Sequence, residues 1–187
     1  MFIQTESTPN PATLKFLPGC TVLGDRAADF PSRESAARSP LAARLFDIAE
    51  VEAVYLGSDF ITITKNAGEW HHLKPALLGA IMEHFTAGHP TLLDDASAGD
   101  AHNFAGDGSD SEIVTQIVEL LDTRVRPAVA QDGGDIVFHG YEDGIVYLHM
   151  QGACAGCPSA TMTLKQGIEN MLRHFVPEVE EVRAVNQ

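Results

Sequence analysis

Apolar and polar positions along this chain follow two rhythms. Short runs alternate, and longer runs repeat an apolar residue every three to four positions. The first period marks a strand and the second a helix. "FIQT" (2–5) and "TLKFL" (13–17) predict short strands, and the two prolines of "STPNPA" end one and turn the chain. "SPLAARLFDIAE" (39–50) predicts a helix opened by Pro40, with Leu41, Leu45 and Ile48 on one face. "VEAVYLGSDFITITK" (51–65) predicts a hairpin around Gly57-Ser58-Asp59. Trp70, Leu73, Leu77, Ile81 and Phe85 then form a helical stripe, in which Pro75 must lie within the first two turns.

The rhythm stops at residues 94–110, where small and acidic residues dominate without lysine or arginine. Like charges and poor hydrophobicity resist burial, so this stretch predicts a flexible acidic linker. Beyond it, Ser109 and Glu112 have capping-box spacing ahead of Ile113, Ile117, Leu120 and Leu121. Pro127 is expected to kink or end that helix. "QDGGD" (131–135) turns the chain, with Gly133 and Gly134 free to take positive φ. "DIVFHGY" and "GIVYLHMQ" flank Glu142-Asp143-Gly144 as a second hairpin. Leu164, Ile168, Met171, Leu172 and Phe175 mark another helix, and "PEVEEVRAV" closes as a strand. The fold class is therefore α+β, with two small domains that are each a short sheet covered by helices. The first (1–93) reads ββαββα, the second (111–187) αββαβ, with 94–110 between them.

Composition narrows the function. The 187 residues carry 26 acids against 12 bases, a net charge of −14. Such a surface repels phosphate backbones and anionic lipid, so neither nucleic acid nor membrane is an expected partner. No run approaches the roughly 18 apolar residues of a membrane span. "MFIQTESTPNP" has no basic residue and no apolar core of a signal peptide, which predicts a cytoplasmic location. Three cysteines are too few and odd for a disulfide framework.

Two of them, Cys154 and Cys157, stand in "GACAGCPSATM", with Pro158 suited to the first position of a helix. A C-x-x-C pair supplies two soft ligands, fit for zinc, copper(I) or iron–sulfur. Zinc and iron–sulfur centres usually take four ligands, and Cys20 lies in the other domain. One chain thus holds half a site, which a two-fold dimer would complete. Free N–H groups and the positive helix end would favour thiolate at both sulfurs. The same pair would also serve a thioredoxin-like dithiol–disulfide oxidoreductase or a structural zinc module. A β-hairpin, and not a βαβ unit, precedes the cysteines, and the proline follows the second cysteine, so metal or cluster binding ranks first.

Other candidates are weaker. His71 and His72 are adjacent and expected on different faces. His139 and His149 are read as a cross-strand pair, and Lys165 as a solvated lysine. Trp70, Met82 and Phe85 are assigned to the first core, with a partner-docking patch as the alternative, and Cys20 receives no role.

"VRPAVAQDGGDI", "GIVYLHMQGACAGCPSATMTLKQGIENML" and "VPEVEEVRAV" together resemble the NifU C-terminal, or Nfu, domain. "MFIQTESTPNPATLKFLPG", "SPLAARLFDI", "VYLGSDFITITK" and "EWHHLKP" resemble the Nfu N-terminal domain. The resemblance implies an iron–sulfur cluster carrier, not an enzyme, with Cys154 and Cys157 as cluster ligands. It implies a [4Fe–4S] cluster, with [2Fe–2S] as the alternative, bridging a homodimer. It further implies an upstream scaffold as donor, apo iron–sulfur proteins as recipients, and a bacterial cytoplasmic or processed mitochondrial-matrix location. The N-terminal domain, without a ligand set, is assigned to target recognition.

Overall fold

The computed structural model describes residues 1–93, 111–155 and 157–185. The chain divides into two compact units, Met1–Gly99 and Asp100–Gln187. The expected acidic linker and Ser109 of the expected capping box lie outside the described residues.

The first unit is one antiparallel sheet with helices. Its strands are β1 (Gln4–Ser7), β2 (Thr13–Leu17), β3 (Ala28–Phe30), β4 (Val51–Leu56) and β5 (Ile61–Lys65), in the order β1-β2-β5-β4-β3. The expected pattern holds with one addition. β3 adds an edge by pairing Ala28 with Leu56 and Phe30 with Val54. Three residues are too few to display an alternation, so no periodicity marks this strand. The predicted helix from Pro40 is α1 (Pro40–Leu45), capped by Ser39, whose Oγ accepts from the Ala42 N–H at 3.1 Å. α2 (Trp70–Thr86) carries Pro75 in its second turn. Leu73, Leu77 and Ile81 are buried against Phe16, Phe30, Leu41 and Ile63, while Trp70 and Phe85 pack at the margin. Met82, assigned to the core from sequence, is instead 41% exposed because it falls outside this stripe.

His84 is the anomaly of α2. It is buried, and its Nε2 finds no hydrogen-bond partner among the described residues. Burial first, then His89 and Arg44, push its pKa below the ordinary imidazole value. A depressed base binds fewer protons folded than unfolded, so its stability contribution is present above pH ~6.5 and lost as pH falls. A His84→Leu chain should be more stable by about 1 kcal/mol at neutral pH, since it removes an unsatisfied buried polar atom. It should also lose less stability than the parent between pH 7 and 5. Trp70 is the only tryptophan, so its fluorescence during urea unfolding reads this unit.

The second unit opens with α3 (Ser111–Leu120), a wider i→i+5 turn at Leu121–Val125, and α4 (Arg126–Gln131). Pro127 does not end the helical path, which runs on to Gln131. Proline removes a donor and crowds the preceding turn, and here the irregularity is taken up just upstream, where the backbone widens. β6 (Gly134–Glu142) and β7 (Ile145–Gly152) form the expected hairpin; α5 (Pro158–Phe175) and β8 (Glu181–Val185) follow. β8 pairs with β7 in parallel, so α5 is the crossover of a βαβ unit and the sheet order is β6-β7-β8. The core gathers Ile136, Phe138, Val146, Leu148 and Val182 from the sheet against Ile117, Leu121, Ile168 and Leu172. Leu164 and Met171 are partly buried at its edge, and Phe175 is 45% exposed under the Arg124 guanidinium, 4.9 Å from its ring centre.

Candidate metal centre

The two thiols are placed by the turn that joins β7 to α5. Cys157 is the residue just before the helix, with extended backbone, and Pro158 takes the first helical position as expected. The turn is tied at several points. The Ala153 N–H donates to Gly133 O at 3.1 Å, Cys154 N–H to Gln151 O at 3.3 Å, and Ala155 N–H to Gly152 O at 3.1 Å. Thr161, one turn into α5, closes it from the other side. Its backbone N–H donates to Cys157 O at 2.9 Å and its hydroxyl to Cys154 O at 3.0 Å.

The sulfurs are not equivalent. Cys154 is 6% exposed and packs with the core, whereas Cys157 is half-buried, its Sγ 3.5 Å from Ser159 Oγ. The reason lies at the start of β6. A Cβ on Gly134 would collide with Cys154 Sγ and come within 2.9 Å of its backbone N. Of the two glycines read as free to take positive φ, Gly133 takes it, at +79°, and Gly134 does not. Gly134 is there for close approach instead.

This overturns the expectation that both sulfurs sit where thiolate is favoured. Burial, with the Asp132 and Asp135 carboxylates adding to it, pushes the Cys154 thiol up to about 12. Desolvation and nearby negative charge outweigh the helix end, whose field falls off within a turn. Loading a metal on Cys154 therefore means expelling a proton as the metal enters.

A charged fork braces the start of β6. Asp135, whose side chain is 8% exposed, receives Arg126 Nε and Nη2 on its two oxygens at 2.9 Å each. Its Oδ1 also accepts the Ile136 N–H at 2.8 Å. Arg126 Nη1 reaches back to Asp122 at 3.2 Å. These partners hold the guanidinium's proton beyond even its ordinary range. The fork, Thr161 and the contact at Gly134 were not identified from sequence. "RPAVAQDGGD" does hold a base and acids around a turn, but no periodicity says that they meet.

The remaining candidates do not join the thiols. His139 falls at a bulge between Phe138 and Gly140, and His149 faces Val137 and not His139 across the hairpin. Its Nδ1 instead lies 3.1 Å from Val185 O. The exposed rings of His71 and His72 do not diverge but lie 3.9 Å apart. Lys165 Nζ stands 4.0 Å from Glu181. Cys20 is a half-buried free thiol of the first unit. Among the described residues no group of three or more His, Cys, Asp or Glu could hold a metal ion. The chemistry on offer is two soft ligands, one sheltered and one accessible.

Two family models match this chain. "NifU-like domain" covers residues 117–183, and "Scaffold protein Nfu/NifU N terminal" covers residues 3–88. The human "NFU1 iron-sulfur cluster scaffold homolog, mitochondrial" is 51% identical over 187 residues, 99% of this chain and 72% of that protein. The chain belongs to the Nfu family. The Drosophila ananassae protein of the same name is 52% identical, and the chain spans 64% of its length. In this Nfu chain the NifU-like match encloses both Cys154 and Cys157, together with the fork and Gly134. The solution NMR structure of a NifU-like protein from Saccharomyces cerevisiae overlaps 51% of this chain and 87% of its own, at 25% identity and a TM-score of 0.46.

Proposed function

We propose that this chain is an iron–sulfur cluster scaffold and carrier, in which Cys154 and Cys157 bind a [4Fe–4S] cluster shared with a second copy. The observation that carries this reading is the thiol pair itself. The turn after β7 brings two soft ligands to one end of α5, and four-thiolate coordination of a cluster needs two more. Its relatives' names, which say iron–sulfur cluster scaffold, support the same reading. An upstream scaffold supplies the cluster. At an apo iron–sulfur protein, incoming target thiolates replace Cys154 and Cys157 on iron one by one. Each released cysteine takes up a proton, and the oxidation state of the cluster does not change. No substrate is turned over, so the role is that of a carrier. The word mitochondrial in those names supports the organellar location over the cytoplasmic one. No helix among the described residues is long and apolar enough to cross a membrane.

The test is oxygen-free reconstitution of the full chain with ferrous iron and sulfide, with iron, acid-labile sulfide and molecular mass measured on one sample. The expected product is a brown dimer with about two iron and two sulfide per chain. Cys154→Ser and Cys157→Ser should each lose nearly all of both. Zinc without sulfide would make the site a structural module. A colourless monomer that reduces protein disulfides would make it a dithiol oxidoreductase.

A further inference from the structure

The thiol pair sits at one end of α5, and the solvent side of that helix has three features that its own unit does not explain. The first is Met162, 62% exposed and five residues beyond Cys157. At 1.5 Å per residue that is only about 7.5 Å along the helix axis. The second is the lack of charge on that face. Ser159, Met162, Thr163, Gln166 and Asn170 follow one another at helical spacing, all exposed. The charged side chains of this stretch turn toward β8. Lys165 approaches Glu181, and Glu169 accepts the Val182 N–H at 3.1 Å. In a chain of net charge −14, an uncharged face of three turns stands out.

The third feature is Gly167. It is exposed in mid-helix, and a Cβ there would meet nothing within 4 Å. Its own unit therefore does not require a glycine, yet an interior glycine costs a helix about 1 kcal/mol relative to alanine. A close approach by something outside the unit would account for it.

We infer that the face of α5 bearing Met162, Gln166 and Gly167 is where a second copy of this chain seats when the two thiol pairs share a cluster. This rests on the cluster-sharing reading given above. If two Cys157 residues meet on one small cluster, the surfaces next to them must also meet. A two-fold pair presents the same patch from both sides. Two copies of so acidic a chain repel over most of their surface, and an uncharged face lets them close without opposing like charges. Met162 would supply the buried apolar contact, and Gly167 would let the helix backbones come near each other.

The experiment compares the full chain with Met162→Glu and Gly167→Gln, each reconstituted without oxygen and examined by sedimentation velocity over a range of concentrations. Glutamine is a good helix former, so Gly167→Gln should leave the metal-free chain at least as stable to heat as the parent. That separates a docking defect from a folding defect. Both variants are expected to raise the dimer dissociation constant of the cluster-loaded form at least tenfold, with iron and sulfide per chain falling alongside. Met162→Gln, neutral and of similar length, should be affected less than Met162→Glu. If both variants load and dimerise as the parent does, this face is not the interface, and the function stands. If the parent loads cluster as a monomer, the inference is likewise overturned. If the parent takes up no iron and sulfide at all, the function itself fails and takes the inference with it.

Discussion

Replacing Arg126 by alanine should destabilise the second unit by about 3–5 kcal/mol, the cost of leaving a buried charge uncompensated. Asp135 is 8% exposed and receives both arms of the guanidinium at 2.9 Å. Without Arg126 its carboxylate loses both arms of the guanidinium, while the Ile136 N–H remains. It must then stay ionised at high cost, take up a proton, or pull the start of β6 open to water. All three disturb Gly134, which is the wall against which Cys154 packs. The variant should therefore lose cluster-loading capacity along with stability. A second substitution tells charge from shape. Asp135→Asn removes the buried charge but keeps an oxygen for the Ile136 N–H, so the double variant should be more stable than Arg126→Ala alone. Calorimetry of the full chain measures this, with Trp70 fluorescence following the first unit as an internal reference. An Arg126→Ala transition within 1 kcal/mol of the parent would show that the fork is not what braces the turn.

The order of elements was legible because each signal is local. A hairpin shows in two alternating runs with a turn between them, and a helix start shows in Pro40 or Pro158. The thiol pair and its place before α5 were legible for the same reason, since Cys154, Cys157 and Pro158 are close in sequence. The state of the thiols was not. Whether Cys154 faces water depends on Gly134, twenty residues earlier, and the two meet only because β6 and β7 pair Gly134 with Gly152. Likewise the helix-end argument for thiolate fails for a sulfur in contact with the core, as Cys154 is. His139 and His149 illustrate the same limit. Alternation says which side of its own strand a residue faces, but the register that sets His149 opposite Val137 is fixed between two strands and is not written in either run alone. Arg126 and Asp135 sit on different elements joined by a turn, so only the path of the chain brings them together.

The inequality of the two sulfurs has its own measurable consequence. In the metal-free, fully reduced chain at pH 8, Cys157 should react with iodoacetamide far faster than Cys154, and mass spectrometry of the peptides reads each site. Only the thiolate reacts. Cys154, with its pKa pushed to about 12 from an ordinary value of 9.0, has a thiolate fraction at that pH lower than an ordinary thiol's by roughly a thousandfold. Burial adds a steric barrier in the same direction. The pH dependence carries a clear sign. The folded pKa is raised, so the folded chain keeps a proton that the unfolded chain releases. Stability is unaffected by this group below about pH 9 and falls as pH rises from there to about 12. Labelling of Cys154 should go on accelerating through that range, where an ordinary thiol levels off. Cys154→Ala should remove its share of the alkaline loss, and urea should bring the labelling rates of the two cysteines together. Equal rates in the folded chain would mean that the turn opens freely and that the shelter at Gly134 does not last. Slow labelling at Cys154 would instead give cluster exchange a direction, because a recipient's thiolate would find the iron on Cys157 first and reach the iron on Cys154 only after the turn has let go.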